Sequence, residues 1–223
     1  MEKKLAIEEF DAVIFDMDGV LIDSEPLWKI AMEQTFLEVG CNLTREDFAS
    51  TAGMRIDEVV AYWYQRIGWD GYSVKEVENK IIDRMIHLIE QNGKPLEGVK
   101  ETLAYLKSIG MLVGLGTSSY TVLLSTVLST LNIQDYFNFV HSAELEKFGK
   151  PHPAVYLTVA EKLGVQPTRC LVIEDSLNGI IAAKAAKMKA VCIPEKNLPI
   201  NPKLVVADYQ FLSMVELYKE ISI

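Results

Sequence analysis

The apolar positions of this chain change period twice. Ala12-Val13-Ile14-Phe15 is a continuous apolar run that stops at Asp16-Met17-Asp18-Gly19-Val20. That is the pattern of a buried strand ending in a charged turn. Helical spacing then holds as far as Gly93-Lys94-Pro95. Ser24-Glu25-Pro26 reads as a helix start, with Leu27, Ile30, Ala31 and Phe36 on one face. Thr44-Arg45-Glu46-Asp47 resembles a cap before a short helix. Ile56, Val59, Val60 and Trp63 share one face of the next helix. Val77, Ile81, Met85 and Leu88 form a further stripe, supported by Ile82, Ile86 and Ile89. Together these predict a small helical bundle.

From Gly98 onward, helices and strands alternate. Val99, Leu103 and Leu106 mark a helix that Gly110 can end. The strand Met111–Leu115 follows and runs into Gly116-Thr117-Ser118-Ser119. Leu124, Val127, Leu128 and Leu131 predict a helix, Phe139-Val140 a weak strand, and Pro153 to Leu163 another helix. Cys170–Ile173 is a strand ending at Glu174-Asp175, and Ser176 caps the helix after it. Ala190–Ile193 and Leu204–Ala207 read as the last strands. Such alternation implies right-handed crossovers and a parallel sheet with helices on both faces. The predicted fold is α/β: a Rossmann-like parallel-sheet core of residues 1–23 and 95–223, interrupted by an inserted α-helical cap over 24–94. The insert begins directly behind Asp16 and Asp18, so it should overhang them.

Composition narrows the classes of partner. The 223 residues are 49% hydrophobic and 24% charged, enough for a real core. A net charge of −9 without a lysine/arginine run argues against nucleic acid and anionic membranes. It also means that a phosphate site would need local positive charge. No apolar run approaches the roughly 18–20 residues of a membrane span, and Met1-Glu2-Lys3-Lys4 lacks the apolar stretch of a signal peptide. Cys41, Cys170 and Cys192 are too far apart for a redox or metal pair. The expectation is a cytoplasmic protein with reduced cysteines, monomeric or weakly homo-oligomeric.

Four polar clusters fall at or just past predicted strand ends: Asp16/Asp18, Thr117-Ser118, Lys150 and Glu174-Asp175. In open parallel sheets ligands gather at this edge. Two acids one residue apart repel unless a cation or proton relieves them. Taken singly, each later cluster also has a structural reading as a helix cap or turn. His87, His141 and His152 show no metal-ligand spacing and read as structural or surface residues. Glu195-Lys196-Asn197 reads as a loop between the last strand and the tail.

In this order the clusters resemble the motifs of the haloacid dehalogenase-like hydrolases, in the branch with a helical cap between the first two core motifs. Asp16-x-Asp18-Gly19-Val20 is similar to the first motif and Thr117 falls at the second. Lys150 in Gly149-Lys150-Pro151-x-Pro153 matches the third, and Glu174-Asp175-Ser176 the fourth. The resemblance implies that Asp16 is a nucleophile forming an aspartyl-phosphate and that Asp18 is the general acid and base. It implies Mg2+ held by Asp16, Glu174, Asp175 and the backbone carbonyl of Asp18. Thr117, the Ser118 N–H and Lys150 would bind the phosphoryl group.

Asp18 sets the chain apart from relatives whose leaving group needs no proton, the dehalogenases and phosphonate-cleaving members. Gly53-Met54-Arg55-Ile56-Asp57 lies at the position of the family's substrate-specificity loop, so Arg55 is expected to recognise a second charged or hydroxyl-rich group. A solvated arginine at a helix start is the other reading. Beta-phosphoglucomutases of the family carry a histidine and an arginine where this chain has Trp28 and Ile56. Ile22-Asp23-Ser24-Glu25-Pro26-Leu27-Trp28, Arg55-Ile56-Asp57 and Lys150-Pro151-His152-Pro153 resemble bacterial phosphatases of hexose and hexitol phosphates. A Mg2+-dependent phosphatase acting on a small phosphorylated sugar or polyol is the leading expectation. A mutase is the alternative, and a non-catalytic phosphometabolite-binding protein the third.

Overall fold

A computed structural model describes residues 4–51, 54–194 and 201–222. Gly53 and the Glu195-Lys196-Asn197 segment lie outside the described residues. Six parallel strands form one sheet in the order β3-β2-β1-β4-β5-β6. They are β1 Ala12–Phe15, β2 Leu112–Thr117, β3 Phe139–Ser142, β4 Cys170–Glu174, β5 Lys189–Cys192 and β6 Tyr209–Gln210. This is the α/β Rossmann-like class that the alternation predicted. The order reverses between β1 and β4, where an open parallel sheet leaves a crevice beyond its carboxyl ends.

Period-two geometry sends Val13 and Phe15 to one face of β1 and Ala12 and Ile14 to the other. All four are buried, as a central parallel strand requires. The Ala12/Ile14 face is covered by α7 (Ala154–Leu163) and α8 (Leu177–Ala185). Gly116 sets how closely α7 approaches: a side chain there would meet the Tyr156 ring at 3.1 Å. Absence of a Cβ thus lets Tyr156 lie against the sheet beside the strand ends.

The Val13/Phe15 face packs α5 (Val99–Ser108), α6 (Thr121–Leu131) and α9 (Met214–Ile221). Between β1 and α5 run α1 (Glu25–Glu38), α2 (Arg45–Phe48), α3 (Ile56–Arg66) and α4 (Val74–Asn92). In α4, Ser73 and Glu76 cap each other's backbone N–H groups. Val77, Ile81, Met85 and Ile89 point inward, whereas Leu88 packs only at the edge. Helix α4 contacts α1, α3 and α6, and one apolar cluster runs from these helices to the sheet. No described helix is long and apolar enough to cross a membrane.

Two expectations about the tail change. Leu204–Ala207 is not a strand. Pro202–Val206 is a short 3-10 helix, started by Pro202 and by Asn201, whose Oδ1 accepts the Lys203 N–H at 3.0 Å. Val205 stays 73% exposed, so the apolar run is not a buried one. The edge strand is Tyr209–Gln210 instead. Helix α9 was not anticipated, although Ser213 and Glu216 cap it, with the Ser213 Oγ accepting the Glu216 N–H at 3.2 Å.

Candidate active site

The four polar clusters meet at the β1/β4 crevice. Asp16 follows β1 directly, Thr117 ends β2, and Glu174 ends β4 with Asp175 behind it. Lys150 comes from the turn ahead of α7, and its peptide bond to Pro151 is cis. Its ammonium donates to Asp16 Oδ1 and to Glu174 Oε1, each at 2.7 Å, and the residue is 3% exposed. Glu174 is completely buried, and both of its oxygens accept hydrogen bonds. The Tyr156 hydroxyl donates to Oε1 at 2.7 Å, while the Asp175 N–H, the Ser176 N–H and the Ser176 hydroxyl donate to Oε2 at 3.0 Å.

Electrostatics explain why these groups keep such company. Burial pushes Asp16 up to about 7, with Lys150 opposing and Glu174 and Asp18 adding to the rise. Asp175 is held well above the usual carboxylate range by burial and by its neighbours Glu174, Asp16 and Glu25. Burial also works against a charged Glu174, but Lys150 and the donors from Tyr156 and Ser176 outweigh it. In the same way the two carboxylates overcome burial and keep Lys150 firmly cationic. One lysine cannot neutralise three crowded acids, so protons or a cation must take up the remaining charge.

Oxygens of Asp16, Glu174 and Asp175 lie within 4.8 Å of one another. Hard oxygen donors so grouped suit a divalent cation such as Mg2+ or Ca2+. Two glycines make the crowding possible. Gly19 has φ +70°, and a side chain there would fall on the Asp175 carboxylate; one at Gly179 would fall on that of Glu174.

Asp18 faces the helical segment. Its Oδ1 accepts the Ser24 hydroxyl at 2.6 Å and the Trp28 indole N–H at 2.9 Å, and its Oδ2 accepts the Ser119 hydroxyl at 2.7 Å. Asp16, Asp18, Thr117, Ser118, Lys150 and Asp175 all line one cavity of about 870 Å3. The helical segment lines it with the apolar Trp28, Met32, Phe48, Met54, Ile56 and Val59, beside the polar Glu25, Lys29, Glu46, Ser50 and Thr51. The helices between β1 and α5 therefore do overhang the acids.

Arg55 is brought elsewhere. It is absent from the cavity wall, and its guanidinium is held by Asp57 and by the backbone carbonyls of Ala143 and Glu146. Four of its N–H groups have acceptors on Asp57 and the 143–146 backbone in this arrangement. The histidines stand apart from the acids: His141 bonds Glu146 at 2.8 Å, and His87 is exposed near Glu90. Tyr156, Ser119 and Ser24 are parts of the site that sequence reasoning passed over. A hydroxyl two residues after Thr117 was the one local hint. Nothing in the residues around Tyr156 marks it as part of the site.

This arrangement belongs to a class. The family description "Haloacid dehalogenase-like hydrolase" matches residues 13–193, and the chain belongs to that family. Hexitol phosphatase B of Escherichia coli K12 is 44% identical over 207 residues, covering 92% of this chain and 93% of that protein. Fructose-1-phosphate phosphatase YqaB of the same strain is 30% identical over 187 residues, covering 82% and 96%. Among solved structures, beta-phosphoglucomutase from Clostridium difficile superposes with a TM-score of 0.80 at 25% identity, covering 93% of each chain.

Proposed function

We propose that this chain is a Mg2+-dependent phosphatase of small phosphorylated sugars or sugar alcohols, working through an aspartyl-phosphate on Asp16. The observation that carries the reading is Lys150 bridging Asp16 and Glu174 at 2.7 Å, beside Asp175, on the floor of the cavity under the helical segment. The residues over 24–94 act as the cap, and those over 1–23 and 95–223 as the catalytic core. Asp16, Asp175, the carbonyl of Asp18 and Glu174 would hold the cation, which supplies positive charge against the acids and the phosphate.

An Asp16 carboxylate oxygen forms a bond to phosphorus as the ester P–O bond breaks, and Asp18 hands a proton to the departing alkoxide. Water then attacks phosphorus, Asp18 takes its proton, and phosphate leaves with Asp16 restored. Thr117, the Ser118 N–H and Lys150 neutralise and orient the phosphoryl oxygens throughout. The apolar side chains of the helical segment exclude bulk water from the first step. Ser24 and Trp28 fill Oδ1 of Asp18 and Ser119 takes one position on Oδ2, which leaves the second Oδ2 position for the proton.

A mutase must hold a second phosphate while the first is transferred. Beyond Lys150, the cations on the described cavity wall are Lys29, paired with Glu25 at 3.3 Å, and Lys203. That sparse set favours release over return of the phosphoryl group. The test is phosphate release from a panel of hexose and hexitol phosphates, with Mg2+ or with chelator, beside conversion of beta-glucose 1-phosphate to glucose 6-phosphate. The reading expects chelator-sensitive phosphate release; isomer formation with little free phosphate would replace it with the mutase.

Leaving-group chemistry gives a second check. Asp18→Asn is expected to lower kcat on a hexitol phosphate by about 10²–10⁴-fold. The first step alone, read as the initial burst of p-nitrophenol, should be nearly unchanged on p-nitrophenyl phosphate, whose leaving group needs no proton. Steady turnover of that ester should still fall, because Asp18 also takes the proton of the attacking water. A burst slowed as much as hexitol phosphate turnover would remove the general-acid role.

A further inference from the structure

Arg55 stands at the N-terminus of α3, in the helical segment, and two of its four guanidinium bonds cross from that segment to the core. Nε and Nη2 donate to the Asp57 carboxylate at 3.1 and 2.8 Å. Nη1 donates to the carbonyls of Ala143 and Glu146, both at 3.0 Å, 88 and 91 residues away in sequence. An arginine offers five N–H donors in a fixed fork, and these four bonds spend most of them. One nitrogen, Nη1, meets both carbonyls of the turn, and that of Ala143 also accepts the Glu146 N–H at 3.1 Å.

The carbon stem of Arg55 is placed as deliberately as its head. A side chain at Gly149 would lie 2.8 Å from Arg55 Cγ and 3.1 Å from Cδ, so the stem rests on a bare backbone. The residue after Gly149 is Lys150. The same turn is anchored from behind, because the Glu146 carboxylate accepts from the Thr158 hydroxyl at 2.6 Å and pairs with His141. The 143–149 turn is thus clamped between α7 and Arg55, and Lys150 emerges from the clamp.

We propose that Arg55 is a positioning residue: by tying α3 to the 143–149 turn, it sets Lys150 between Asp16 and Glu174 when the helical segment is seated on the core. The proposal rests on the phosphatase reading only for its activity readout. Without the guanidinium, the turn loses two charge-assisted bonds, and the ammonium loses the frame that holds it within 2.7 Å of Asp16. A misplacement of that kind lowers the rate for every substrate, since the lost element acts on the transferring phosphoryl group and not on the sugar.

The experiment compares wild type with Arg55→Met, which keeps the stem on Gly149 and removes the fork. Turnover is measured on a hexitol phosphate and on p-nitrophenyl phosphate, alongside backbone hydrogen exchange over residues 143–150. The expected result is a fall in kcat of about tenfold on both substrates, with the ratio of their KM values unchanged. Exchange over 143–150 should quicken by a similar factor while β1 and β4 stay protected. Gly149→Ala presses on the stem from the other side and should give the same uniform loss, with no further loss in the double variant. A rise in KM confined to the hexitol phosphate, with exchange unchanged, would make Arg55 a substrate contact and overturn the proposal. Unchanged kinetics and exchange would overturn it too. If wild type releases phosphate from neither ester, the phosphatase reading falls, and the exchange comparison alone decides the clamp.

Discussion

Asparagine in place of Asp16 is expected to lower phosphate release by at least about 10⁴-fold, the order seen when an essential nucleophile is removed. The amide has nearly the carboxylate's shape and its oxygen can still accept from Lys150, but it is a poor nucleophile toward phosphorus. Folding should survive the change. Burial already opposes a charged Asp16 and pushes it up to about 7, so a neutral group of equal size suits the position. Activity measured beside a thermal melt separates the two quantities. A variant that melts like wild type and turns over like wild type would show that Asp16 is not the nucleophile.

Lys150→Met carries the second large effect, and here stability falls along with activity. The ammonium is the shared partner of Asp16 and Glu174, in a place where both acids are buried. Removing one member of a buried charge network leaves uncompensated charge and costs about 3–5 kcal/mol. For a chain of this size that corresponds to a fall in melting midpoint on the order of 10 °C. The rate should drop by about 10²–10³-fold through loss of charge at the phosphoryl oxygens. Lys150→Arg should not restore either quantity, because the longer planar fork cannot occupy a space fitted to a single point between two carboxylates. A melting midpoint unchanged in Lys150→Met would contradict the assigned network.

Much of this architecture was legible because it depends on local period. Ala12–Phe15 and Cys170–Ile173 had to be buried strands, and the Val77/Ile81/Met85 stripe had to face inward in a helix. Leu204–Ala207 misled because apolar content alone does not make a strand. Pro202 and the Asn201 cap decide that segment locally, and its valines remain exposed. Helix α9 carried a readable signal in Ser213 and Glu216, overshadowed by the strand expectation just before it.

The acids, Thr117, Ser118 and Lys150 were legible at the site because each sits at or just past a strand end, and strand ends of a parallel sheet share an edge. Partners set by tertiary packing were not. Tyr156 reaches Glu174 from α7, which packs closely on the sheet where Gly114 and Gly116 carry no side chains. Trp28 bonds Asp18 only because α1 turns back over the crevice. Arg55 shows the limit most plainly: its position in the loop suggested a ligand, yet the acceptors that claim it lie 88 and 91 residues away.

One measurement reaches the covalent step on Asp16 directly. Wild type turning over a hexitol phosphate with Mg2+ is quenched in acid, digested, and searched by mass spectrometry for a phosphorylated peptide. The account predicts a phosphoryl group on Asp16, absent from the Asp16→Asn variant and from enzyme without substrate. Steady phosphate release with no phosphoryl group on Asp16, or with one on another residue, would contradict it.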